Sequence, residues 1–549
     1  MRYIFSALLL VAGLVVGGLG IAQQTVWAPS ERISASAQVD GDAPLLVIDP
    51  GVLNLYDTPA ELTVTGEGEM EMARATKEFV DAWVAESEVT TVTGLASEGV
   101  LATTTAGEGG ARPLSTGDTW DALHTGDGEI TLDWDEEPER TTFLIATDGE
   151  APAADSVTIT WPNNTDTPWA MPLMIGGGVL VLAGLVLLGT GIVRTRKIRA
   201  REAERVKRRK KLAETGMAMI AVPALALAGC GPQEELPTPQ PAAPPTTAPA
   251  SITDAQVEEL LADTASDVQK ADEELDPKHM VDRAAGPFVD QRRAAYSAKK
   301  GWDDAPIPPA IADEEILVNW TNQTDEWPRQ TAVIAQDQEL EQTQYLLWEQ
   351  PTPRAYYKLQ VQTVLLPGTE LPTIPDPRLG APPVALDSED LVMKPQDVMK
   401  NYADLLEERS DSDFRAAFAD DRYRVKRATD ENDLVDALSE GNASAEFEYT
   451  APEDQEVFAQ ATEDGAAIVS GVIEWTETMK PEVGEGGTGE LTLGTPQKEM
   501  SGTETTSDEV TTTHVMEMTF LVPSKDAPEE EQKVQLIGTA DTVSSVELE

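Results

Sequence analysis

The central stretch from Pro168 to Cys230 constrains the chain most, because it combines two apolar runs with a strongly basic block. The first run, residues 171–193, contains no charged side chain, and the block at residues 194–211 carries eleven Arg or Lys against two Glu. About 20 apolar residues span the hydrocarbon core of a bilayer, and Lys and Arg accumulate on its cytoplasmic side. The sequence therefore predicts a membrane helix over residues 169–193, followed by a cytoplasmic basic segment that attracts anionic membrane lipids.

The second apolar run, residues 212–230, ends in Leu227-Ala228-Gly229-Cys230. Basic residues, a short apolar core and a final cysteine make this run similar to the lipobox family of bacterial lipoprotein signals. The resemblance implies that Cys230 carries lipid and that the bond between Gly229 and Cys230 is cleaved. The alternative is an uncut third membrane helix, interrupted by Pro223.

Residues 1–23 form another export signal. Arg2 precedes an uncharged run that extends from Ile4 to Ile21. This length is sufficient for a membrane-spanning anchor, and small residues at Gly20 and Ala22 also suit a cleaved signal peptide. Both interpretations place the following segment outside the cytoplasm.

Residues 24–168 have the pattern of an all-β domain. Apolar and polar residues alternate strictly in stretches such as Ile130–Trp134 and Val157–Trp161, and Gly-containing turn signals separate the stretches. We expect an extracytoplasmic, β-sandwich-like domain with one polar face on each sheet. One helix is predicted from Ala73 to Ala85.

The remainder of the chain begins with a Pro-rich linker at residues 231–251, which is expected to be an extended spacer. Two α+β domains follow, at residues 252–384 and 385–549, and each has helices before strands. This order resembles the cystatin and NTF2-like families and implies a duplicated plan with a curved sheet around a pocket.

The elements of these two domains are predicted from periodicity. Helices are expected over Asp254–Glu274, Pro287–Lys299 and Pro395–Glu408, with a short helical stretch around residues 414–418. Residues 481–510, rich in Gly, Thr and Glu, are expected to form a long, mobile hairpin loop.

Several short motifs match one kind of envelope protein. These are GVLNLY at residues 51–56, FLIATDGEAPA at 143–153, ITWP at 159–162 and TPWAMPL at 167–173. Together with the order of the segments, they resemble two-part cell-envelope proteins of actinobacteria that carry a C-terminal lipoprotein-like domain of unknown function. The resemblance implies a topology and brings no activity with it.

Composition argues against several functional classes. The formal net charge of −57 would repel a phosphate backbone, so we expect no nucleic-acid partner. A single cysteine excludes an intramolecular disulfide and a Cys-rich metal site. The histidines, His124, His279 and His514, are scattered singly and are expected to be ordinary surface or core residues.

Chemical motifs are equally sparse. The GxGxxG match at Gly484–Gly489 has no helix after it to hold a phosphate. Carboxylate pairs such as Asp133 with Asp135 and Asp411 with Asp413 are expected by chance in so acidic a chain. We therefore predict no catalytic, cofactor-binding or metal-binding residue.

Three functional hypotheses follow. The first is a non-catalytic, membrane-anchored protein whose exported domains bind other envelope proteins. The second is a lipoprotein that binds an apolar ligand in a pocket of the α+β region, and the third is a hydrolase. A large apolar pocket would favour the second, and converging His, Asp and Ser side chains would favour the third.

Overall fold

A computed structural model describes most of the chain: residues 2–39, 41–56, 58–135, 140–147, 151–203, 236–243, 248, 250–337, 342–440, 443–453, 455–482 and 489–549. The predicted lipobox, including Gly229 and Cys230, lies outside the described residues, as does the basic segment beyond Ala203. The chain forms two compact units. Unit 1 contains Met1–Met70, Ser87–Ala111 and His124–Ala242, and unit 2 contains Glu71–Glu86, Arg112–Leu123 and Ala243–Glu549.

Among the described residues, the N-terminal β-rich region contains eight strands. They are β1 (Arg32–Gln38), β2 (Leu45–Ile48), β3 (Ala60–Thr76), β4 (Val89–Ser97), β5 (Val100–Ala106), β6 (Ala122–Trp134), β7 (Thr141–Ala146) and β8 (Ser156–Pro162). Seven of them close into a barrel in the order β3-β7-β2-β4-β5-β1-β8, and β6 pairs with β3 outside this ring. The prediction of a β-sandwich was therefore wrong.

The barrel closes because β8 pairs on both of its edges. On one edge it lies antiparallel to β1, and on the other it lies antiparallel to β3, with Leu62 opposite Ile159 and Val64 opposite Val157. All four of these side chains are fully buried. Alternation along each strand thus points one set of side chains into the barrel, as predicted, while the closure joins what would have been two separate sheets.

Three helices accompany this region, namely α1 (Arg2–Gln24), α2 (Lys77–Val84) and α3 (Ala170–Ala203). The apolar portions of α1 and α3, at 22 and 27 residues, are each long enough to cross a membrane. The helix expected to begin at Ala73 begins four residues later, because strand β3 continues to Thr76.

Helices α1 and α3 pack against each other in antiparallel directions through glycine. A Cβ atom added at Gly13 would lie 2.7 Å from the carbonyl oxygen of Gly177, and one added at Gly20 would lie 2.7 Å from that of Ala170. The Ser6 hydroxyl donates a 2.8 Å hydrogen bond to the carbonyl oxygen of Gly184. Backbones approach this closely only where side chains are absent.

Part of the Pro-rich linker lies against the barrel. A Cβ atom added at Gly51 would be 3.0 Å from the backbone nitrogens of Gln240 and Pro241, and one added at Gly94 would be 3.1 Å from the ring of Pro239. Both glycines have positive φ angles, of 80° and 142°, which permit this approach. Residues 239–241 are therefore packed on unit 1 rather than free in solvent.

Unit 2 is built on one large sheet. Its helices are α4 (Asp254–Glu274), α5 (Gly286–Gly301), α6 (Pro395–Glu408), α7 (Arg422–Glu440) and α8 (Gln497–Ser501). Its strands are β9 (Glu315–Thr321), β10 (Arg329–Asp337), β11 (Gln342–Gln350), β12 (Lys358–Leu365), β13 (Ala443–Thr450), β14 (Phe458–Ala461), β15 (Ala467–Pro481), β16 (Leu491–Thr492), β17 (Thr505–Thr506), β18 (Val510–Val522) and β19 (Gln535–Leu548).

Two antiparallel halves meet in the middle of this sheet. Eight of its strands run in the order β13-β15-β18-β19-β12-β11-β10-β9, β14 pairs with β15, and β16 pairs separately with β17. The halves join where Val364 pairs with Thr539 and Leu365 with Gly538. The two predicted α+β domains therefore contribute their strands to one continuous sheet.

The helix predictions for unit 2 succeeded where an apolar stripe was present. Helices α4 and α6 have the predicted bounds, and α5 extends the predicted helix by a residue or two at each end. The stretch at 414–418 forms turns, and the following helix α7 was missed. The predicted loop at 481–510 instead contains β16, α8 and β17, with Leu491 and Leu493 buried.

Candidate functional site

One group of titratable side chains in unit 2 surrounds Trp475 on β15. His514 of β18 stacks on the indole with ring centroids 3.8 Å apart, and the Arg427 guanidinium of α7 lies 3.7 Å from the centroid of the same indole. Two groups this close to one ring centroid must occupy opposite faces of the ring. Arg427, Trp475 and His514 therefore form a three-layer stack.

Carboxylates complete this Trp475 cluster. Glu431 is buried and accepts hydrogen bonds from the Tyr449 hydroxyl and from Arg427. Asp541 lies 3.3 Å from Nδ1 of His514. Burial raises the pKa of Glu477, although His514 and Arg427 oppose this effect. Protein groups thus cover both faces of the indole, and the cluster is a packed polar network.

One cavity of unit 2 lies beside the Pro-rich passage that precedes α6. It encloses about 750 Å³, which is in the range of small-molecule sites. Its apolar lining includes Leu379, Val384 and Leu391, and its acidic lining includes Asp376 and Glu463. Hydrogen bonds from Arg378 lower the pKa of Asp376 to about 2, so this carboxylate is ionised at neutral pH.

A second cavity of unit 2, of about 420 Å³, surrounds Arg283. The guanidinium donates to Asp118 at 2.6 Å and to Asp263 at 2.7 Å, and it lies 4.9 Å from the ring centroid of Tyr356. Burial raises the pKa of Asp118 despite the opposing attraction of Arg283. The second oxygen of Asp118 accepts the backbone N–H of Tyr357 at 2.9 Å.

Unit 1 has a cavity of about 360 Å³ at one end of its barrel. The predicted carboxylate pair, Asp133 and Asp135, lines it together with Arg32 and Glu61. Arg32 and Glu61 lie 3.9 Å apart and are largely exposed, so their ion pair contributes little energy. The cavity is consequently a solvated, acidic surface feature.

The other residues considered from sequence are dispersed. His279 lies 2.8 Å from Glu274, His514 belongs to the Trp475 cluster, and His124 lies exposed on β6. Within the described residues, no group of three His, Cys, Asp or Glu side chains has a geometry that would hold a metal ion. Most of the GxGxxG match falls outside the described residues.

Sequence reasoning missed both groups of interacting side chains. Arg283 and Asp118 are 165 residues apart in the chain, and the Trp475 cluster draws on α7, which was not predicted. A contact between residues so far apart in the chain produces no periodic pattern in the sequence.

Comparison with known proteins gives one family. A family model described as "Domain of unknown function (DUF8094)" matches residues 248–545, more than half of the chain. No curated protein matches the chain. Among solved structures, the hydroquinone 1,2-dioxygenase from Sphingomonas sp. TTNP3 with 4-hydroxybenzoate bound matches at 12% identity, with a TM-score of 0.12. That match covers 25% of this chain and 62% of the dioxygenase, less than two thirds of its length.

Proposed function

We propose, for a chain that belongs to the DUF8094 family, that the protein is a non-catalytic, membrane-anchored accessory or binding protein of the cell envelope. Its two large parts lie on the extracytoplasmic side in this proposal. The observation that carries it is the packing of residues 239–241 against Gly51 and Gly94 of unit 1. These linker residues follow α3 and the basic segment, whereas the glycines precede α3.

A bilayer cannot pass between residues that touch. If α3 crosses the membrane once, the chain must return to its first side between Ala203 and Leu236. The second apolar run, residues 212–230, supplies a segment for this return, either as a lipoprotein signal ending at Cys230 or as a third helix. The segments that make up unit 2 also support a return of the chain to the first side of the membrane. Glu71–Glu86 and Arg112–Leu123 precede α3, and they belong to the same unit as Ala243–Glu549.

The glycine packing of α1 on α3 supports a retained anchor over a cleaved signal peptide. Close contacts at Gly13, Gly20 and Gly177 extend along both helices, and such packing stabilises helix pairs in lipid. The basic residues that begin at Arg194, near the C-terminal end of α3, then mark the cytoplasmic end of the hairpin. The resemblance to actinobacterial envelope proteins is in keeping with this arrangement.

The proposal of a non-catalytic role is supported by the packing around Trp475. A general acid or base must come within hydrogen-bond reach of its substrate. The His514 ring stacks on Trp475 and bonds to Asp541, and Glu431 is occupied by Tyr449 and Arg427. Binding through the surfaces of unit 2 is thus favoured over catalysis.

Cysteine accessibility tests the topology. In a Cys230→Ser background we would introduce Thr104→Cys in the barrel, Ser507→Cys in unit 2 or Arg196→Cys near the C-terminal end of α3, all at exposed positions. We expect a membrane-impermeant maleimide to label the first two in spheroplasts and the third only after permeabilisation. Labelling of Ser507→Cys only after permeabilisation would put unit 2 in the cytoplasm and end the proposal.

The cavity of about 750 Å³ favours a second candidate function, which is binding of an apolar envelope molecule. Native mass spectrometry of the purified protein would reveal a retained ligand. We expect Val384→Trp, which fills the cavity, to abolish retention, and Leu123→Trp, in the cavity around Arg283, to leave it unchanged. Equal retention by both variants would exclude this cavity.

A further inference from the structure

Unit 2 contains two segments that come from the N-terminal part of the chain, Glu71–Glu86 and Arg112–Leu123. We propose that these segments are a docking element, which holds the N-terminal and C-terminal parts of the protein together whether or not the chain is continuous between Ala203 and Leu236. The partner of the C-terminal part is therefore the N-terminal part of its own chain. This inference rests on contacts inside unit 2 and does not depend on the proposed membrane topology.

The apolar half of the docking element is an aromatic cluster. Phe79 and Trp83 of α2 and Trp120 are buried, with the Phe79 and Trp120 rings 5.1 Å apart and the Trp83 and Trp120 rings 4.8 Å apart. Trp327, from the C-terminal part, lies 6.0 Å from Phe79, and the Arg329 guanidinium covers Trp327 at 3.9 Å. Buried Trp and Arg side chains are the residues that dominate binding energy in interfaces.

The polar half of the docking element is built from directed hydrogen bonds. Asp118 accepts from Arg283 and from the backbone of Tyr357, while Arg354 donates to the carbonyl oxygen of Trp83 at 2.6 Å. The Asp118 side chain is 10% exposed and that of Arg283 is 17% exposed. Removing one partner of so buried a pair leaves an uncompensated charge, which is strongly destabilising.

The extent of the element suits a stable association. The two segments together are comparable with the roughly 20–30 residues that one partner contributes to a typical interface. Helix α2 is capped at this surface, because the Thr76 side chain accepts a hydrogen bond from the backbone N–H of Phe79.

The predicted cleavage between Gly229 and Cys230 would separate residues 71–86 and 112–123 from residues 243–549, although all of them belong to unit 2. The C-terminal piece would then remain bound through the aromatic cluster and the Asp118 pair. Cleavage would accordingly convert one chain into a two-chain complex without releasing either part.

A site-specific protease sequence inserted after Pro232 tests this inference. The cut leaves all three apolar runs on the N-terminal side, so the C-terminal piece stays on washed membrane vesicles only through protein contacts. We expect most of the C-terminal piece to remain after cleavage of the wild-type sequence. Its complete release into the wash would overturn the proposal, and this outcome would leave the accessibility result for Ser507→Cys untouched.

Variants identify the contacts responsible. Asp118→Ala combined with Arg354→Ala should lower retention at least tenfold, whereas Asp133→Ala, at an exposed carboxylate of β6, should not change it. Far-ultraviolet circular dichroism of each uncut variant checks that it folds. Where the double variant fails to fold, Arg354→Ala alone should lower retention severalfold. Retention at the wild-type level in a folded double variant would exclude the docking element.

Discussion

Burial raises the pKa of Glu517 in the middle of the large sheet to about 8. Its Oε2 accepts the backbone N–H of Gln362 at 3.0 Å, where β12 has no pairing with β19, while its Oε1 is buried without a partner among the described residues. At the junction between the two halves of the sheet, the carboxyl group thus accepts a backbone hydrogen bond that a paired strand would otherwise accept. A neutral carboxyl is favoured there because a charge would be desolvated.

The sign of the resulting pH dependence follows from proton linkage. Between the ordinary pKa of 4.5 and about 8, the folded state binds more protons at Glu517 than the unfolded state does. The free energy of unfolding should therefore fall as the pH rises from about 5 to 8, by roughly 3–4 kcal/mol. Glu517→Gln should remove most of this fall, as measured by urea unfolding at several pH values.

The exposed Glu529 offers a matched control for this prediction. Glu529→Gln removes the same charge from the surface, so the slope of unfolding free energy against pH should stay as in the wild type. An unchanged slope in Glu517→Gln would show that the carboxyl of Glu517 titrates normally, in contradiction to its burial.

At the scale of elements, the contact between α1 and α3 makes the sharpest prediction. Gly177→Leu would drive a side chain into Gly13 and Gly17, whereas a Cβ atom added at Gly189 meets nothing within 4 Å. In a Cys230→Ser protein carrying Tyr3→Cys and Thr195→Cys, whose native side chains touch, a bis-maleimide should link the two helices efficiently. Gly177→Leu should lower the yield of linked peptides severalfold by mass spectrometry, and Gly189→Leu should not.

The cross-linking experiment also shows whether α1 is retained in the mature protein. If α1 is a cleaved signal peptide, the mature protein contains no peptide with Tyr3→Cys. Absence of that peptide from the protein without a glycine substitution would mean that α1 is removed after export, and the glycine contacts would then exist only before cleavage.

Elements with a clear period were predictable from sequence, and those without one were not. Helix α4 buries Val257, Leu260, Leu261 and Val268 along one stripe, and its bounds are as expected. Helix α7 has Glu431 as its buried residue and no apolar stripe, so periodicity gave no signal for it. Glu431 joins α7 to the rest of unit 2, through an ion pair with Arg409 and a hydrogen bond from the Tyr449 hydroxyl.

At the scale of the whole molecule, lipidation at Cys230 remains a prediction. Cys230→Ala should abolish incorporation of a labelled fatty acid, because the chain has no other thiol. Inhibition of the lipoprotein signal peptidase should give a larger, uncut precursor of the wild-type protein, while Ser251→Ala, outside the signal, should behave as the wild type. If neither Cys230→Ala nor inhibition of the peptidase changes the electrophoretic mobility of the protein, a third membrane helix over residues 212–230 is favoured.

The sequence by itself determined the apolar runs, the basic block, strictly alternating strands such as those at Ile130–Trp134 and Val157–Trp161, and the amphipathic helices α4, α5 and α6, because each depends on the order of neighbouring residues. Only the tertiary structure decided that β8 closes a barrel, that two predicted domains share one sheet, and that Asp118 meets Arg283. These features join residues far apart in the chain, and their energy comes from burial and pairing after the chain has folded. Local periodicity in the sequence does not indicate which distant residues will become partners.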